Sequence, residues 1–415
     1  MSSFKPTELN DIAYFNPSEK LPSGTIAKKI PMAQLKEFTR KITGYELAEY
    51  KSGPKFRNHD TLVAKITPCL ENGKTTYVDI LDENEVAFGS SEFIVLRAKN
   101  NTCPEFLYYL SISPAFRERA ISCMEGTSGR KRVNEGVLKL YKLPIPIKSE
   151  QQKIAAVLTA LDKKIELNNR INAELEAMAK TLYDYWFVQF DFPDANGKPY
   201  KASGGKMVYN PTLKRKIPEG WDVKKLAKIT SLIRRGISPK YTETGGISVL
   251  NQKCIRDQKI SFEDSRRHQL ELSDEDERLL RLFDVVINST GVGTLGRVAY
   301  VKRLLETKTT VDSHVTIVRA NDALVSPQYL AWEMIRYQPL IEAAANGSTG
   351  QVELNKSFLE DIDIIVPEDL ITQKFIEFIE PLVPALAKRE SENEYLVSLR
   401  NWLLPMLMNG QVTVK

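Results

Sequence analysis

The chain has 415 residues, of which 42% are hydrophobic and 27% charged, a length and composition that predict two or three soluble globular domains. No apolar run approaches the ~20 residues needed to span a bilayer, which excludes a membrane-embedded protein. The net charge is +5, and its basic excess falls in residues 1–150 and 191–220. Four cysteines without metal-binding spacing and only three histidines predict a reduced, cytoplasmic protein with no metal site.

The first predicted domain, residues 1–148, mixes strands with helices. Short alternating apolar segments predict strands over Thr61–Ile66, Thr75–Ile80 and Phe93–Ala98, and a helix is predicted near Glu105–Ser111. This mixture indicates an α+β domain.

A long helix is predicted next, from Glu150 to Tyr185 within residues 149–190. Its apolar residues are spaced by three and four, which is typical of a coiled-coil seam, and an Asn inside such a seam commonly fixes register. The predicted helix-pairing residues are Ile154, Leu158, Leu161, Ile165, Asn172, Leu175 and Leu182.

After a connector rich in Gly, Pro and Lys, residues 191–220, the same plan repeats. Gly126-Thr127-Ser128-Gly129 recurs 221 residues later as Gly347-Ser348-Thr349-Gly350. The repeat predicts a second domain over residues 221–368 and a second long helix with a tail over residues 369–415. The helical seam repeats in the same register as Phe375, Ile379, Leu382, Leu386, Asn393, Leu396 and Leu403.

Two seams in the same register pair well when one of them is reversed. We therefore predict two tandem mixed α/β domains, each followed by a long helix, with the helices paired as an antiparallel coiled coil. This arrangement gives the chain a pseudo-two-fold, near-circular form. Pro381 and Pro384 should kink the second helix in its first third.

Catalytic motifs are missing from the sequence. Gly291–Gly296 matches a dinucleotide-binding pattern, but the residues after it read as a strand where that site needs a helix N-terminus, so a glycine-rich hairpin is predicted. The sequence has no phosphate loop, methyltransferase motif or nucleophile elbow. These absences predict a non-catalytic binding protein with no catalytic residue and no cofactor of its own.

Two equivalent loops carry different polar chemistry. Gly126–Asn134 presents three adjacent cations, which suit phosphates and guanine edges, whereas Gly347–Asn355 offers hydroxyls and a glutamine suited to adenine. A solvated charged turn is the alternative interpretation of the first loop. The candidate DNA-binding residues are Lys55, Arg57, Lys65, Lys74, Arg130, Lys131, Arg132, Arg234, Arg235, Lys253, Arg297, Ser348, Thr349 and Gln351.

With these features in place, the chain resembles the specificity subunits of type I DNA restriction-modification systems. The most specific parts of the resemblance are the segment from Gln151 to Ile165, which opens the first long helix, and Ile217-Pro218-Glu219-Gly220-Trp221, which opens the second domain. Tyr185–Asp191 also matches the style of that family. The resemblance covers nearly the whole chain.

The resemblance implies two target recognition domains, each reading half of a split, asymmetric double-stranded DNA site, and two antiparallel helices that fix the unread spacer. It also implies that two modification subunits, which together form an adenine-N6 methyltransferase, and restriction subunits dock on the chain. S-adenosylmethionine, ATP and magnesium would then be bound by those partners.

A coiled-coil adaptor or scaffold that does not bind DNA is the alternative function. The differing chemistry of two equivalent loops argues against it, because two modules that read two sequences need different side chains at the same place. An enzyme with an unfamiliar site is a third alternative, which the missing motifs disfavour.

Overall fold

The computed structural model describes residues 4–127, 129–269, 272–291, 293–346 and 353–414. The chain divides into two compact units. The first unit contains Met1–Asn169 and Ser391–Lys415, and the second contains Arg170–Glu390. Each unit therefore combines a mixed α/β part with a portion of both long helices.

The α/β part of the first unit is built on an antiparallel sheet that is buried on both faces. Its strands follow the order Ala13–Phe15, Phe93–Ala98, Thr61–Ala64, Thr75–Tyr77. Because alternate side chains of a strand point to opposite faces, neighbouring residues enter different cores. Val63 packs in the core that contains the helices, and Leu62 packs in the core that contains the second sheet.

The second sheet of this unit is mixed. Its order is Glu46–Glu49, Ile26–Ile30, Ala87–Gly89, Lys55–Phe56, with one parallel pair formed by Ile26–Ile30 and Ala87–Gly89. Ile30 and Phe56 are fully buried against the first sheet.

Short elements complete the first α/β part. Lys5–Glu8 pairs with Lys142–Ile145, so that the part begins and ends on neighbouring antiparallel strands. Ser113 caps the second of two consecutive helices by accepting a hydrogen bond from the Phe116 amide. The helices are Leu9–Ile12, Pro104–Ile112, Pro114–Ser122 and Glu135–Lys139, and a further strand pair joins Met124–Glu125 to Arg132–Val133.

The second unit repeats both sheets, as the sequence repeat predicts. The antiparallel sheet has the order Thr230–Arg235, Val315–Ala320, Val285–Asn288, Val298–Tyr300. The mixed sheet has the order Tyr241–Thr242, Arg266–His268, Ile247–Leu250, Thr309–Val311, with the last two strands parallel.

The remaining elements of the second unit also follow the first. Asp222–Lys225 pairs with Asp363–Val366, in the same way as the strands at the two ends of the first α/β part. The helices are Leu226–Ile229, Pro327–Asn346 and Lys356–Glu360, and two further strand pairs join Met207–Asn210 to Arg215–Pro218 and Ile255–Arg256 to Lys259–Ile260.

Both long helices are present. The first spans Lys148–Tyr183 and continues into one π-helical turn, Asp184–Val188. The second is divided into Asp369–Ile379 and Leu382–Met408. The division falls at Pro381, as predicted, because proline cannot donate the next helical hydrogen bond. The kink predicted at Pro384 is absent, because Pro384 lies in the first turn of Leu382–Met408, where its missing N–H is not needed.

The long helices pack antiparallel in each unit. In the first unit, Asp162 contacts Arg400 and Asn168 contacts Asn393, so that later residues of one helix meet earlier residues of the other. In the second unit, the Asn172 side-chain amide donates to the Leu386 carbonyl oxygen at 3.4 Å. The predicted antiparallel helix pair is confirmed.

The predicted seam residues differ in burial. Six of them are buried, namely Ile154, Leu158, Asn172, Phe375, Ile379 and Leu386. The others are partly buried, namely Leu161, Ile165, Leu175, Leu182, Leu382, Asn393, Leu396 and Leu403. Three buried polar side chains between the helices were not predicted: Asp162, Asn168 and Arg400.

Candidate nucleic-acid interface

The cation-rich segment of the first unit forms a hairpin tip. Met124 and Glu125 pair antiparallel with Val133 and Arg132. Gly126 has a φ of 120°, in the region that favours glycine. On leaving the hairpin, the chain enters the helix Glu135–Lys139, which Asn134 caps by accepting from the Val137 amide at 3.2 Å.

A second loop, residues 65–74, lies directly against this hairpin. The Thr67 amide donates to the Lys131 carbonyl oxygen at 3.1 Å, and the Val133 amide donates to the Lys65 carbonyl oxygen at 2.9 Å. An isolated bridge also joins Ile66 to Arg132. We call residues 65–74 and 124–133 together the first loop pair. Main-chain hydrogen bonds hold its two loops as one surface.

The cations of the first loop pair are not equivalent. Arg130 and Lys131 are exposed, and neither has an ion pair within the described part of the chain. Arg132 donates two hydrogen bonds to the Glu92 carboxylate, at 2.9 and 2.7 Å. This contact raises the pKa of Arg132 and lowers the pKa of Glu92. Arg130 and Lys131 therefore present uncompensated charge, whereas the charge of Arg132 is balanced.

Replacing Glu92 by glutamine should strengthen DNA binding. The carboxylate offsets one of the three hairpin cations, so the E92Q variant should gain affinity and steepen the salt dependence by about one unit in log–log slope. Glu83→Gln, which removes an exposed carboxylate of the same unit that forms no ion pair with the loop pair in the described part of the chain, is the matched control. Titration of labelled duplex DNA at several salt concentrations measures both slopes, and an E92Q slope equal to that of the unsubstituted protein would contradict the prediction.

Of the other candidate cations of the first unit, Lys55 and Arg57 lie outside the first loop pair, and Lys74 lies at the end of loop 65–74. Lys55 stacks over the Tyr50 ring, with Nζ 5.6 Å from its centroid. Arg57 forms an ion pair with Glu19 at 2.6 Å, and Lys74 donates to the Met32 carbonyl oxygen at 3.3 Å. No hydrogen bond or ion pair described for these three side chains joins them to the hairpin.

The second unit holds an equivalent loop pair. The Leu354 amide donates to the Ser289 carbonyl oxygen at 2.8 Å, and a bridge joins Thr290 to Glu353, which repeats the contacts of Val133 with Lys65 and of Arg132 with Ile66. Three candidates, Ser348, Thr349 and Gln351, lie outside the described residues. We call residues 289–291 and 293–297, together with Glu353 and Leu354, the second loop pair.

Most of the candidate DNA-binding cations of the second unit bind other groups of the protein. Arg234 forms an ion pair with Glu277, and Arg235 forms one with Glu353. Arg297 donates to the Gly293 carbonyl oxygen at 2.9 Å, within the glycine-rich loop. Lys253 is exposed, with no side-chain partner recorded in the described part of the chain.

The sequence analysis did not predict one polar side chain that lies beside the second loop pair. The His314 ring Nδ1 lies 2.7 Å from the Thr290 hydroxyl oxygen. The sequence repeat places His314 where the first unit has Glu92, so an alignment of the two halves could have identified this position. At matching positions beside the two loop pairs, the first unit therefore has a carboxylate and the second has an imidazole.

The glycine-rich segment is a hairpin, as predicted. The strands before and after it, Val285–Asn288 and Val298–Tyr300, are antiparallel neighbours. A dinucleotide site would need a helix directly after the glycines. Within the described residues, no group of three metal-ligating side chains comes together and no helix is long and apolar enough to cross a membrane.

Comparison with known proteins shows a consistent similarity to one class of protein. Residues 1–177 match the family model described as the type I restriction modification DNA specificity domain. The type I restriction enzyme HindI specificity subunit of Haemophilus influenzae is 24% identical, over 99% of this chain and 100% of its own length. The MjaIX specificity subunit of Methanocaldococcus jannaschii is 27% identical, over 76% of this chain and 71% of its own length.

The fold also resembles that of a solved S subunit from another organism. The crystal structure of a type I restriction-modification system S subunit from M. genitalium has a TM-score of 0.57 and 15% identity, covering 98% of this chain and 96% of that one. The chain is therefore similar along its whole length to specificity subunits of type I restriction-modification systems, and residues 1–177 match their DNA specificity domain.

Proposed function

We propose that this chain is a specificity subunit of a type I restriction-modification system, which binds double-stranded DNA and reads a bipartite, asymmetric target, one half with each loop pair. The observation that carries this proposal is the repetition of one loop architecture with different side chains. Both loop pairs share one amide-to-carbonyl hydrogen bond and one isolated bridge, yet the first presents Arg130 and Lys131 while the second presents glycines and Thr290, with His314 beside it. A shared scaffold with different side chains suits two modules that read different bases.

The paired helices supply the second part of the proposal. The first long helix has 36 residues, about 54 Å at ~1.5 Å per residue, which is long enough to hold two reading modules a turn or more of DNA apart. We propose that these helices fix the length of the unread spacer. Swapping a reading module would then change bases, and changing a helix would change distance.

The chain is proposed to act without catalysis of its own. Two modification subunits, forming an adenine-N6 methyltransferase, and restriction subunits would dock on it in the cytoplasm. These partners would bind S-adenosylmethionine, ATP and magnesium.

A binding experiment separates this function from a DNA-independent adaptor. The full chain, co-purified with its modification subunit, is incubated with immobilised duplex DNA at increasing salt. Retention that falls steeply with salt is expected, because phosphate neutralisation releases counterions. Capture of the modification subunit without any DNA retention at low salt would instead establish the adaptor.

Alanine substitutions in the first loop pair should separate two kinds of contact. An exposed cation that touches only phosphate should flatten the salt slope by about one unit when it is lost, whereas a cation paired with guanine should cost ~1–3 kcal/mol and relax one position of the target. We expect R130A and K131A to show one or the other effect. R132A should act less directly, because Arg132 is bound to Glu92.

Affinity against salt and a map of methylated positions measure these effects, with Lys36→Ala as a control for an exposed lysine of the same unit outside the loop pair. Unchanged affinity, slope and target in all three hairpin variants would show that the hairpin is a solvated turn.

A further inference from the structure

The two halves of the helix pair contain buried polar clusters of different composition. In the first unit, the Tyr109 hydroxyl donates to the Asp162 carboxylate at 2.7 Å, and the Arg400 guanidinium donates to its other oxygen at 2.7 Å. All three residues are buried. This first polar cluster joins one α/β part, through Tyr109, to both long helices.

The second unit has its own cluster, formed by Tyr183, Glu333 and Arg336. The Tyr183 hydroxyl donates to the Glu333 carboxylate, and Arg336 forms an ion pair with the same group. Tyr183 and Glu333 are nearly inaccessible, at 1% and 2% exposure. This second polar cluster joins the other α/β part to the first long helix.

The first polar cluster has no counterpart in the second unit. The sequence repeat aligns Asp162 with Val383 and Arg400 with Ala179, and both aligned residues are buried and apolar. The recognition-domain helices Pro104–Ile112 and Pro327–Asn346 are offset by 223 residues, so Tyr109 aligns with Trp332 in a register set by Pro104 and Pro327. Where one half has a buried ion pair, the other half has two apolar side chains.

The second polar cluster likewise has no counterpart in the first unit. Tyr183 aligns with Leu404, and Glu333 aligns with Leu110. Both leucines are buried, at 4% and 2% exposure, in the core that contains the helices. The two halves therefore place their buried polar groups at different positions along one repeated framework.

This difference has a physical consequence for the order of the two α/β parts. If they exchanged places, the Tyr109 hydroxyl would face Val383 and Ala179, and the Tyr183 hydroxyl would face Leu110. Neither hydroxyl would have an acceptor, and Glu333 would lose the Tyr183 donor. Buried polar groups without partners are costly, so the exchanged arrangement is disfavoured although the two frameworks match.

We propose that the two polar clusters assign each recognition domain to its own half of the helix pair, and thereby fix the order in which the two half-sites are read. The proposal rests on the proposed function, because order matters only for a bipartite target. Tyr109, Asp162, Arg400, Tyr183 and Glu333 act as positioning residues, since none belongs to a loop pair.

The test is a transposed chain in which residues 5–145 and 222–366 change places. Each of these segments begins and ends on two strands that pair with each other, so that its two ends lie side by side in both cases. A second version of both chain orders removes both clusters through six replacements: Tyr109→Phe, Asp162→Val, Arg400→Ala, Tyr183→Leu, Glu333→Leu and Arg336→Ser. Each of the four proteins is expressed with its modification subunit, and its folded fraction and methylated sites are measured.

The native order should methylate the same bipartite site with or without the clusters. The transposed chain with intact clusters should lose about 100-fold or more in methylation, as expected for several unpaired buried groups. The transposed chain without the clusters should regain activity to within about tenfold and read the half-sites in reversed order.

Efficient methylation by the transposed chain with intact clusters would overturn the proposal. Failure of the transposed chain without the clusters would also overturn it, because the order would then be fixed by other contacts. If the unsubstituted protein methylates no bipartite site, it is the proposed function that fails, which keeps the two failures distinguishable.

Discussion

Substitution of Asp162 by valine is expected to destabilise the first unit by about 3–5 kcal/mol, because it leaves Arg400 charged and buried without its partner. Arg400 is only 5% exposed, so water cannot replace the lost carboxylate. Arg400→Ala should also be destabilising, but less so, since the Tyr109 hydroxyl continues to donate to Asp162. Urea denaturation of the full chain measures each change in the free energy of unfolding.

The double variant provides the control for this prediction. Asp162→Val with Arg400→Ala reproduces the residue types that the second unit has at the aligned positions, and a buried ion pair can often be replaced by apolar residues at little cost. The double variant should therefore be more stable than Asp162→Val alone. If the two single effects simply added in the double variant, the two side chains would not be coupled, and the described ion pair would contribute nothing.

Exchange of one recognition domain should change one half of the target and leave the other half intact. Residues 221–368 would be replaced by the corresponding domain of another specificity subunit, with Glu333 and its partner Arg336 retained so that the second polar cluster survives. The reason is that each loop pair belongs to a different unit. A map of methylated adenines detects the outcome, and a change in both half-sites would contradict it.

Lengthening the helices should have the opposite effect. A seven-residue insertion in both long helices, after Asn169 and after Glu390, adds two turns and preserves the seam. At ~1.5 Å per residue and ~3.4 Å per base pair, the spacer should grow by about three base pairs. Both half-sites should remain unchanged, and an altered half-site with an unaltered spacer would refute this division of roles.

Much of the fold could be predicted because the sequence contains an internal repeat. The glycine motif at Gly126 and its repeat at Gly347 revealed the duplication, and the seam spacing revealed both helices. The break at Pro381 was predicted from the chemistry of proline, although the second long helix continues through Pro384 and Pro405. These features depend on local sequence or on a repeat, both of which are visible without coordinates.

The buried polar clusters could not be predicted in the same way. Asp162 and Arg400 lie 238 residues apart, and the repeat aligns them with Val383 and Ala179, so no pattern marks them as partners. A charged residue on a predicted long helix normally reads as solvent-exposed. Only the antiparallel register places these two side chains against each other.

The candidate interface was predictable in outline only. Three adjacent cations at Arg130–Arg132 drew attention to the hairpin, but their different roles depend on Glu92, which is distant in sequence. Loop 65–74 contacts the hairpin through main-chain hydrogen bonds, and His314 contacts Thr290 through its side chain. The spacing of residues in the sequence does not indicate either contact. The contacts of individual residues with DNA stay predictions.

We propose that this chain alone sets a two-part target with a fixed gap. Sequencing of modified bases in a host that expresses the full chain with its modification subunit tests this proposal most directly. We expect methylated adenines in a single motif composed of two different half-sites separated by a constant unread spacer. Methylation in a continuous motif, at half-sites with variable spacing, or at the same sites without this chain would contradict it.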